Sequence, residues 1–175
     1  MIRSLMLVVC CVISMGTSCS GPRLTCANSL DGSEFGFTLS VPEEFTCSGG
    51  SSLSTLLNEI RATYAQAATG IGVTVVVSES QSSADSNAQS DAAQSEDLGT
   101  TTNAQGVMFD LQKITIDLSQ VFNDPSLGMI VSYAGGTTLP SGKILIITVS
   151  AESDIASMRG TLDSIVASVA LVSAP

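Results

Sequence analysis

The sequence contains no histidine, and this absence removes several kinds of chemistry at once. Ser-His-Asp and Cys-His nucleophile systems need an imidazole as general base, so both are excluded. Histidine-based zinc and haem sites are excluded for the same reason. The chain also lacks a Walker loop, a GxGxxG turn and stretches that interleave basic and aromatic residues. We therefore predict a protein that is not an enzyme, with no catalytic, cofactor-binding or metal-binding residues.

Basic residues are scarce as well. The chain has 6 Lys and Arg residues against 16 Asp and Glu residues, which gives a formal net charge of −10. Such an acidic surface repels the phosphates of nucleic acids and the headgroups of anionic lipids. We therefore expect no nucleic-acid partner, and the acidic surface is typical of a highly soluble domain.

The first 18 residues have the three parts of a signal peptide. Arg3 supplies the positive start, residues 5–15 form an apolar run, and Gly16-Thr17-Ser18 supplies small residues at a cleavage site. We predict that residues 1–18 are removed and that the mature protein works outside the cytoplasm.

The residues around Cys19 resemble the lipobox of bacterial lipoproteins. In that motif a small residue precedes a cysteine that is lipidated and becomes the new N-terminus, as Ser18 precedes Cys19 here. The chain departs from the motif at Gly16, where leucine is usual. The resemblance implies a membrane anchor on Cys19 in the cell envelope. The alternative is ordinary cleavage near Ser18 or Ser20, which would leave a soluble periplasmic or secreted protein.

The cysteine count agrees with a lipidated Cys19. Of the 5 cysteines, Cys10 and Cys11 lie within the signal peptide, so lipidation of Cys19 leaves Cys26 and Cys47 as an even pair. Export to an oxidising compartment permits a disulfide between them. Closing a loop of about 20 residues contributes roughly 3 kcal/mol in the chain-entropy model. Metal binding by two thiols without further ligands is a poor alternative.

After residues 1–18, the predicted organisation is a tether over residues 19–25 and one domain over residues 26–175. Residues 78–106 interrupt this domain. They are rich in Ser, Gln, Asp and Thr, contain no basic residue, and have Leu98 as their one large apolar side chain. Such a segment cannot bury enough apolar surface to offset the entropy lost on ordering. We therefore predict a disordered, acidic, low-complexity insert.

Within this insert, five oxygen-bearing side chains share the spacing of an EF-hand calcium loop: Asp85, Asn87, Gln89, Asp91 and Glu96. Ser90 replaces the glycine that such a loop needs, and neither flank has the pattern of an amphipathic helix. In so polar a segment this spacing arises by chance, so we predict no metal site.

The stretch 143–172 has the clearest secondary-structure signal. Its apolar run at residues 144–149 predicts a central strand buried on both faces. A helix follows, with Ser150 or Ser153 as N-cap and Gly160 in close packing or at a weak point. Three- and four-residue steps put its apolar side chains on one face, namely Ile155, Met158, Leu162, Ile165, Val166 and Val169.

Earlier residues predict further elements. Phe35, Phe37, Leu39 and Val41 alternate as in a strand. A stripe from Leu53 to Ala68 predicts a helix that Gly70 ends. Strands are predicted at 73–77 and 107–118, the latter with a bulge near Gln112 and Lys113, because its apolar residues change phase there. Residues 123–125 turn the chain, and 129–133 pairs with the strand after Lys143 as a hairpin.

The stretches FGFTLSVPEEF and ITVSAESDIASMRGTLDSIVASVAL resemble the Mog1/PsbP-like domain, which occurs in some bacterial lipoproteins. The resemblance covers most of residues 28–172. It implies an α+β fold, an α/β/α sandwich in which helices flank an antiparallel sheet. The family has no shared catalytic motif, so the resemblance assigns no functional residue.

Few charged residues stand out as site candidates. Lys113, Arg61 and Arg159 are candidates for an anion site, although solvated faces or surface ion pairs are the default explanation for such residues. Glu43 and Glu44 are adjacent and fit an exposed turn better than an acid/base pair. We expect a non-enzymatic exported lipoprotein or accessory domain that binds an unknown protein or small ligand in the envelope. A secreted structural protein is the alternative, and an enzyme is the weakest candidate.

Overall fold

The computed structural model describes residues 24, 27–54, 59–79 and 92–173. The predicted signal peptide and the predicted sites at Cys19 and Cys26 lie outside these residues. The strands are β1 Ser29–Gly32, β2 Phe37–Ser40, β3 Thr46–Ser54, β4 Glu59–Gln66, β5 Ile71–Ser78, β6 Ala93–Thr102, β7 Met108–Asp117, β8 Met129–Thr138, β9 Ile144–Ala151 and β10 Ala170–Leu171. The helices are a 3-10 turn at Ser33–Phe35, α1 at Leu118–Phe122 and α2 at Ser157–Ser168.

Seven of the strands form one antiparallel sheet in the order β3-β4-β5-β9-β8-β7-β6. The predicted central strand is confirmed, because β9 lies in the middle of this order. Its predicted burial on both faces is wrong. Leu145, Ile147 and Val149 are fully buried on one face, which we call the inner face, while Ile144 and Ile146 on the outer face are half-buried. Strand β9 therefore alternates in burial, as expected where one face carries the core.

The predicted C-terminal helix and its apolar face are confirmed. Helix α2 packs on β8 and β9, and its own side chains Met158, Leu162, Ile165 and Val166 are buried; the other two residues of the predicted face, Ile155 and Val169, lie just outside the helix. The predicted N-cap is wrong, because β9 continues to Ala151 and the helix begins only at Ser157, after Ala156. The residues between these elements are instead held by Asp154, which pairs with Lys113.

Gly160 is the weak point in α2 rather than a site of close packing. A Cβ atom added there would meet no other atom within 4 Å. Gly160 is exposed, so nothing compensates for the poor helix propensity of glycine.

A second, three-stranded sheet has the order β1-β2-β10. The predicted alternation at the start of the domain is confirmed, since Phe35, Phe37, Leu39 and Val41 are all buried in the core. Helix α2 also packs on β2, and both sheets share one hydrophobic cluster. Leu24 is 1% exposed and belongs to this cluster, so the folded part of the chain includes this residue of the predicted tether.

The helix predicted to run from Leu53 to Ala68 is wrong. Those of its residues that the structure describes lie in β3 and β4 and in the turn that Gly70, at φ 71°, completes before β5. Ile60, Ala62 and Tyr64 are buried and alternate with more exposed residues. Strand β4 pairs with β5 along its whole length, so the apolar residues follow the two-residue period of a strand and not the period of a helix.

The predicted disorder is wrong for the second half of the insert, while residues 80–91 lie outside the described part of the chain. Residues from Ala93 to Thr102 form the edge strand β6, whose backbone pairs with β7 although most of its side chains are exposed. The predicted bulge in β7 is also wrong. The irregularity lies opposite it in β6, between Asp97 and Gly99, and Gly99 has φ 79°.

The predicted fold class is therefore incorrect. Strands predominate among the described residues, and the two antiparallel sheets are accompanied by a single long helix and the short α1. This is a mostly β architecture and not an α/β/α sandwich. An α/β/α sandwich would have helices covering this face of the sheet. Here the three-stranded sheet shares the core on that face with α2.

We call the end of the seven-stranded sheet where β7 connects to β8 the lower end, and the opposite end the upper end. Asn103 lies at the upper end, in the turn between β6 and β7. Its side-chain amide donates to the carbonyl oxygens of Val166, at 2.9 Å, and Val169, at 2.8 Å. These are carbonyls at the C-terminus of α2, so Asn103 caps the helix from another element.

Candidate interaction surface at the lower end

The connection from β7 to β8, residues 118–128, is built by local hydrogen bonds. Asp117 caps α1, because its Oδ1 accepts from the backbone N–H groups of Ser119, at 3.0 Å, and Gln120, at 3.4 Å. The Gln120 side-chain amide donates to Oδ2 of the same carboxylate at 3.0 Å. The backbone N–H of Leu118 donates to the carbonyl of Gly128 at 3.0 Å, which closes the connection at its base.

The second half of the connection is equally well ordered. Asn123, at φ 50°, ends α1 in the left-handed conformation. Oδ1 of Asp124 accepts from the backbone N–H of Ser126 at 2.9 Å and from its hydroxyl at 2.7 Å. The predicted turn at residues 123–125 is therefore confirmed, and Asp124 shapes it as an Asx turn.

This ordered connection exposes apolar side chains. Val121 is 50% exposed, Phe122 65%, Leu127 38% and Met129 51%. Among the described residues, these four are the majority of the large hydrophobic side chains with such exposure, and the others are Met108 and Leu171. We call Val121, Phe122, Leu127 and Met129 the apolar tip. Grouped exposed apolar side chains are typical of binding surfaces.

The charged side chains within residues 117–129, the stretch that carries the apolar tip, are all negative. Residues 117–129 contain no Lys or Arg. The hydrogen bond from the Ser119 hydroxyl lowers the pKa of Asp117, and the Ser126 hydroxyl and backbone lower the pKa of Asp124 in the same way. Both carboxylates therefore stay ionised at neutral pH, and they would discourage an acidic partner.

A cluster of three polar side chains, separate from the apolar tip, lies on the inner face near the lower end. Nζ of Lys113 is 2.6 Å from Oδ2 of Asp154, and the Tyr133 hydroxyl donates to Oδ1 of Asp154 at 3.1 Å. The Lys113 ammonium also lies 5.5 Å from the centre of the Tyr133 ring. The hydrogen bond with Lys113 lowers the pKa of Asp154, and the same bond raises the pKa of Lys113. These groups satisfy one another, so the cluster fastens the segment before α2 to the sheet.

The structure does not assemble the candidate anion site. Lys113 is paired with Asp154, and Arg159 is paired with Asp163 at 2.9 Å, one turn along α2. Arg61 alternates with the buried Ile60 and Ala62 on β4, so it lies on the outer face, away from Lys113. The geometry therefore supports surface ion pairs for Lys113 and Arg159.

The other acidic candidates do not converge either. Glu43 and Glu44 are both exposed in the turn between β2 and β3, which confirms the predicted exposed turn. Of the calcium-loop residues, only Glu96 lies among the described residues, where it is part of β6. Within the described ranges, no group of three or more His, Cys, Asp or Glu residues is arranged to hold a metal ion.

The chain segment next to Cys26 is held at the lower end. The carbonyl of Ala27 accepts a hydrogen bond from the Tyr64 hydroxyl at 2.9 Å. Tyr64 pairs with Cys47 across β3 and β4, so both side chains point to the same side of the sheet. The predicted Cys26–Cys47 disulfide stays a prediction, since Cys26 lies outside the described residues.

Sequence reasoning missed the apolar tip. Val121, Phe122 and Leu127 flank the Asn123-Asp124-Pro125 turn, where apolar side chains serve neither a strand face nor a long helix stripe. Apolar residues close to a strong turn signal were the available indication. Their exposure depends on the positions where β7 ends and β8 begins, which the sequence does not give.

Comparison of the chain with protein-family models and with curated proteins finds no match. The resemblance to the Mog1/PsbP-like domain is therefore neither supported nor refuted by relatives, although the architecture it implied is not the one observed. Neither helix in the described part of the chain is long and apolar enough to cross a membrane.

Proposed function

We propose that the protein is an exported, non-enzymatic binding domain that a lipid on Cys19 holds at the cell envelope, and that the apolar tip is its contact surface. The signal-like residues 1–18 and the lipobox-like residues before Cys19 support export and anchoring. The observation that carries the binding role is the exposure of four apolar side chains, three on one ordered connection and the fourth at the first residue of β8.

Local order makes the apolar tip suited to binding. Asp117, Asn123 and Asp124 fix the backbone of the connection before any partner arrives. A partner then does not have to offset the entropy of ordering a loop, which is the usual cost of binding through flexible segments. Among the described residues, no element buries these four side chains, which remain 38% to 65% exposed.

Sedimentation with isolated envelope membranes tests the role of the apolar tip. The Cys19→Ser protein lacks the predicted anchor, so it should sediment only through its own surface. We expect a further Phe122→Ser substitution to abolish the sedimentation that remains, whereas Met108→Ser, at an equally exposed methionine at the upper end, should leave it unchanged. Both positions are exposed, so stability should change by no more than about 0.5 kcal/mol.

Two results would contradict the proposal. Equal sedimentation of the Phe122→Ser and Met108→Ser proteins would show that the apolar tip does not bind. Detection of the unsubstituted protein in the aqueous phase of a detergent phase separation, without acyl label, would show that no lipid anchors it.

A further inference from the structure

The N-terminal segment and the apolar tip emerge at the same end of the seven-stranded sheet. The register places Tyr64, Val73, Val149 and Tyr133 side by side in one row across β4, β5, β9 and β8. Ala27 is hydrogen-bonded to Tyr64 at one side of this row. From Tyr133, β8 runs back only four residues to Met129, which belongs to the apolar tip. Three strand spacings, about 14 Å, separate β4 from β8.

The chain between Cys19 and the folded domain is short. Leu24 is already buried in the core, and only four residues lie between it and Cys19, which makes five steps along the chain. A fully extended chain spans at most about 3.4 Å per residue, so Cys19 lies within roughly 17 Å of Leu24 and 27 Å of Ala27. A lipid on Cys19 therefore leaves Ala27, at the lower end of the sheet, no more than about 27 Å from the membrane.

We propose that the apolar tip inserts into the headgroup and upper acyl zone of the same membrane that carries the lipid on Cys19, giving the domain two points of attachment. This inference rests on the proposed function, since it needs the anchor on Cys19. Phe122 is the most exposed member of the apolar tip. The apolar faces of interfacial helices lie about 5–10 Å deep at the boundary of headgroups and acyl chains, and we expect a similar depth for the apolar tip.

The charges of the connection define the lipid. Residues 117–129 have no basic side chain to attract anionic headgroups, and the ionised Asp117 and Asp124 would be repelled by them. The apolar tip therefore suits a zwitterionic surface, and its contact should be insensitive to salt, because apolar burial and not charge attraction drives it.

A membrane fits the apolar tip better than a protein partner does. Stable protein interfaces bury about 1,200–2,000 Å² in total and surround their apolar centre with a polar rim. The apolar tip is a small group of side chains, three of them beyond the last pair of β7 and β8 and the fourth, Met129, within that pair. Contact of both with one membrane would also explain why the apolar tip and the N-terminal segment lie at the same end of the sheet.

The absence of tryptophan from the chain gives a clean experiment. We would reconstitute the full mature protein, lipidated at Cys19, into phosphatidylcholine vesicles with brominated acyl chains, which quench nearby tryptophan. The Phe122→Trp protein should lose most of its emission and shift to shorter wavelength. The Met108→Trp protein, labelled at the upper end, should show neither change. Adding Leu127→Asp to Phe122→Trp should relieve the quenching.

The outcomes separate this inference from the proposed function. If the protein fails to float with the vesicles, the anchor is absent and the proposed function fails. If it floats but Phe122→Trp and Met108→Trp are equally unquenched, the anchor stands and the membrane contact is overturned. Shielding of Phe122→Trp only in envelope membranes, and not in protein-free vesicles, would also overturn it and identify a protein as the occupant.

Discussion

The hydroxyl of Tyr64 donates a 2.9 Å hydrogen bond to the carbonyl oxygen of Ala27, and this bond ties the start of the folded chain to β4. Next to it, the Asn28 side-chain amide donates to the carbonyls of Pro42, at 2.9 Å, and Phe45, at 3.0 Å. The N-terminal segment is therefore fixed by hydrogen bonds to two separate parts of the sequence, the Tyr64 side chain on β4 and the backbone just before β3.

We expect Tyr64→Phe to lower the free energy of unfolding by about 1 kcal/mol near neutral pH, because it removes the partly buried hydrogen bond to the carbonyl of Ala27. Urea denaturation measures this. Tyr133→Phe is the control, since it removes only an exposed hydrogen bond to Asp154. A Tyr64→Phe protein as stable as the parent would contradict the prediction.

The same residue gives a pH dependence. Burial raises the pKa of the Tyr64 hydroxyl above its ordinary value of 10.0. The folded state therefore favours the neutral hydroxyl. This contribution is complete below pH 10 and is lost as the pH rises through the raised pKa. Urea denaturation at increasing alkaline pH should show a shallower loss of stability in Tyr64→Phe than in the parent, and equal slopes would contradict this.

Asn103→Ala should destabilise the protein by about 2–3 kcal/mol, since the side chain makes several hydrogen bonds that are each worth about 1 kcal/mol. Its amide caps α2 through Val166 and Val169, and its oxygen accepts from the backbone N–H groups of Gln105 and Val107, both at 3.0 Å. Thermal and urea melts would measure the loss, with the exposed Gln105→Ala as control. Equal stability of the two variants would refute the capping role.

Gly160→Ala should raise the free energy of unfolding by about 1 kcal/mol, because alanine favours the helix and its Cβ meets open space. Gly32→Ala provides the contrast. A Cβ at residue 32 would lie 2.5 Å from the ring of Phe37, so this variant should be destabilised. Denaturation of both proteins tests the pair, and destabilisation by Gly160→Ala would mean that α2 packs more closely there than the structure shows.

The sequence predicted elements best where one period dominates. Met158, Leu162, Ile165 and Val166 fit only a helix, and α2 was correctly predicted from them. Ile60 and Tyr64 fit both a helical stripe and an alternating strand. Pairing with β5 decides between these readings, and that pairing joins residues that no local window compares.

The insert and the apolar tip were mispredicted or missed for a related reason. Composition suggested that residues from Ala93 to Thr102 bury too little apolar surface to fold, but an edge strand is held by backbone hydrogen bonds to its neighbour, β7. Similarly, the exposure of Phe122 depends on where β7 and β8 end. Sequence alone supplied the apolar residues but not their position at the end of the sheet.

The Cys26–Cys47 disulfide remains a prediction with a direct test. Tyr64 holds Ala27 on the side of the sheet to which Cys47, its cross-strand partner, also points. We expect mass spectrometry of non-reduced protein to recover the Cys26 and Cys47 peptides as one linked species, and Cys47→Ser to lower the melting temperature. Recovery of both cysteines as separate alkylated peptides from exported protein would contradict it.

The mass of the N-terminal peptide of the mature protein tests the central claim most directly, since anchoring depends on one residue. If the protein is a lipoprotein, the peptide begins at Cys19 and carries a diacylglyceryl thioether and an acylated amine, and Cys19→Ser yields no such species. The buried acyl chains would hold the domain at the membrane at about 0.8 kcal/mol for each CH₂ group. An unmodified peptide that begins near Ser18 or Ser20 would contradict the claim.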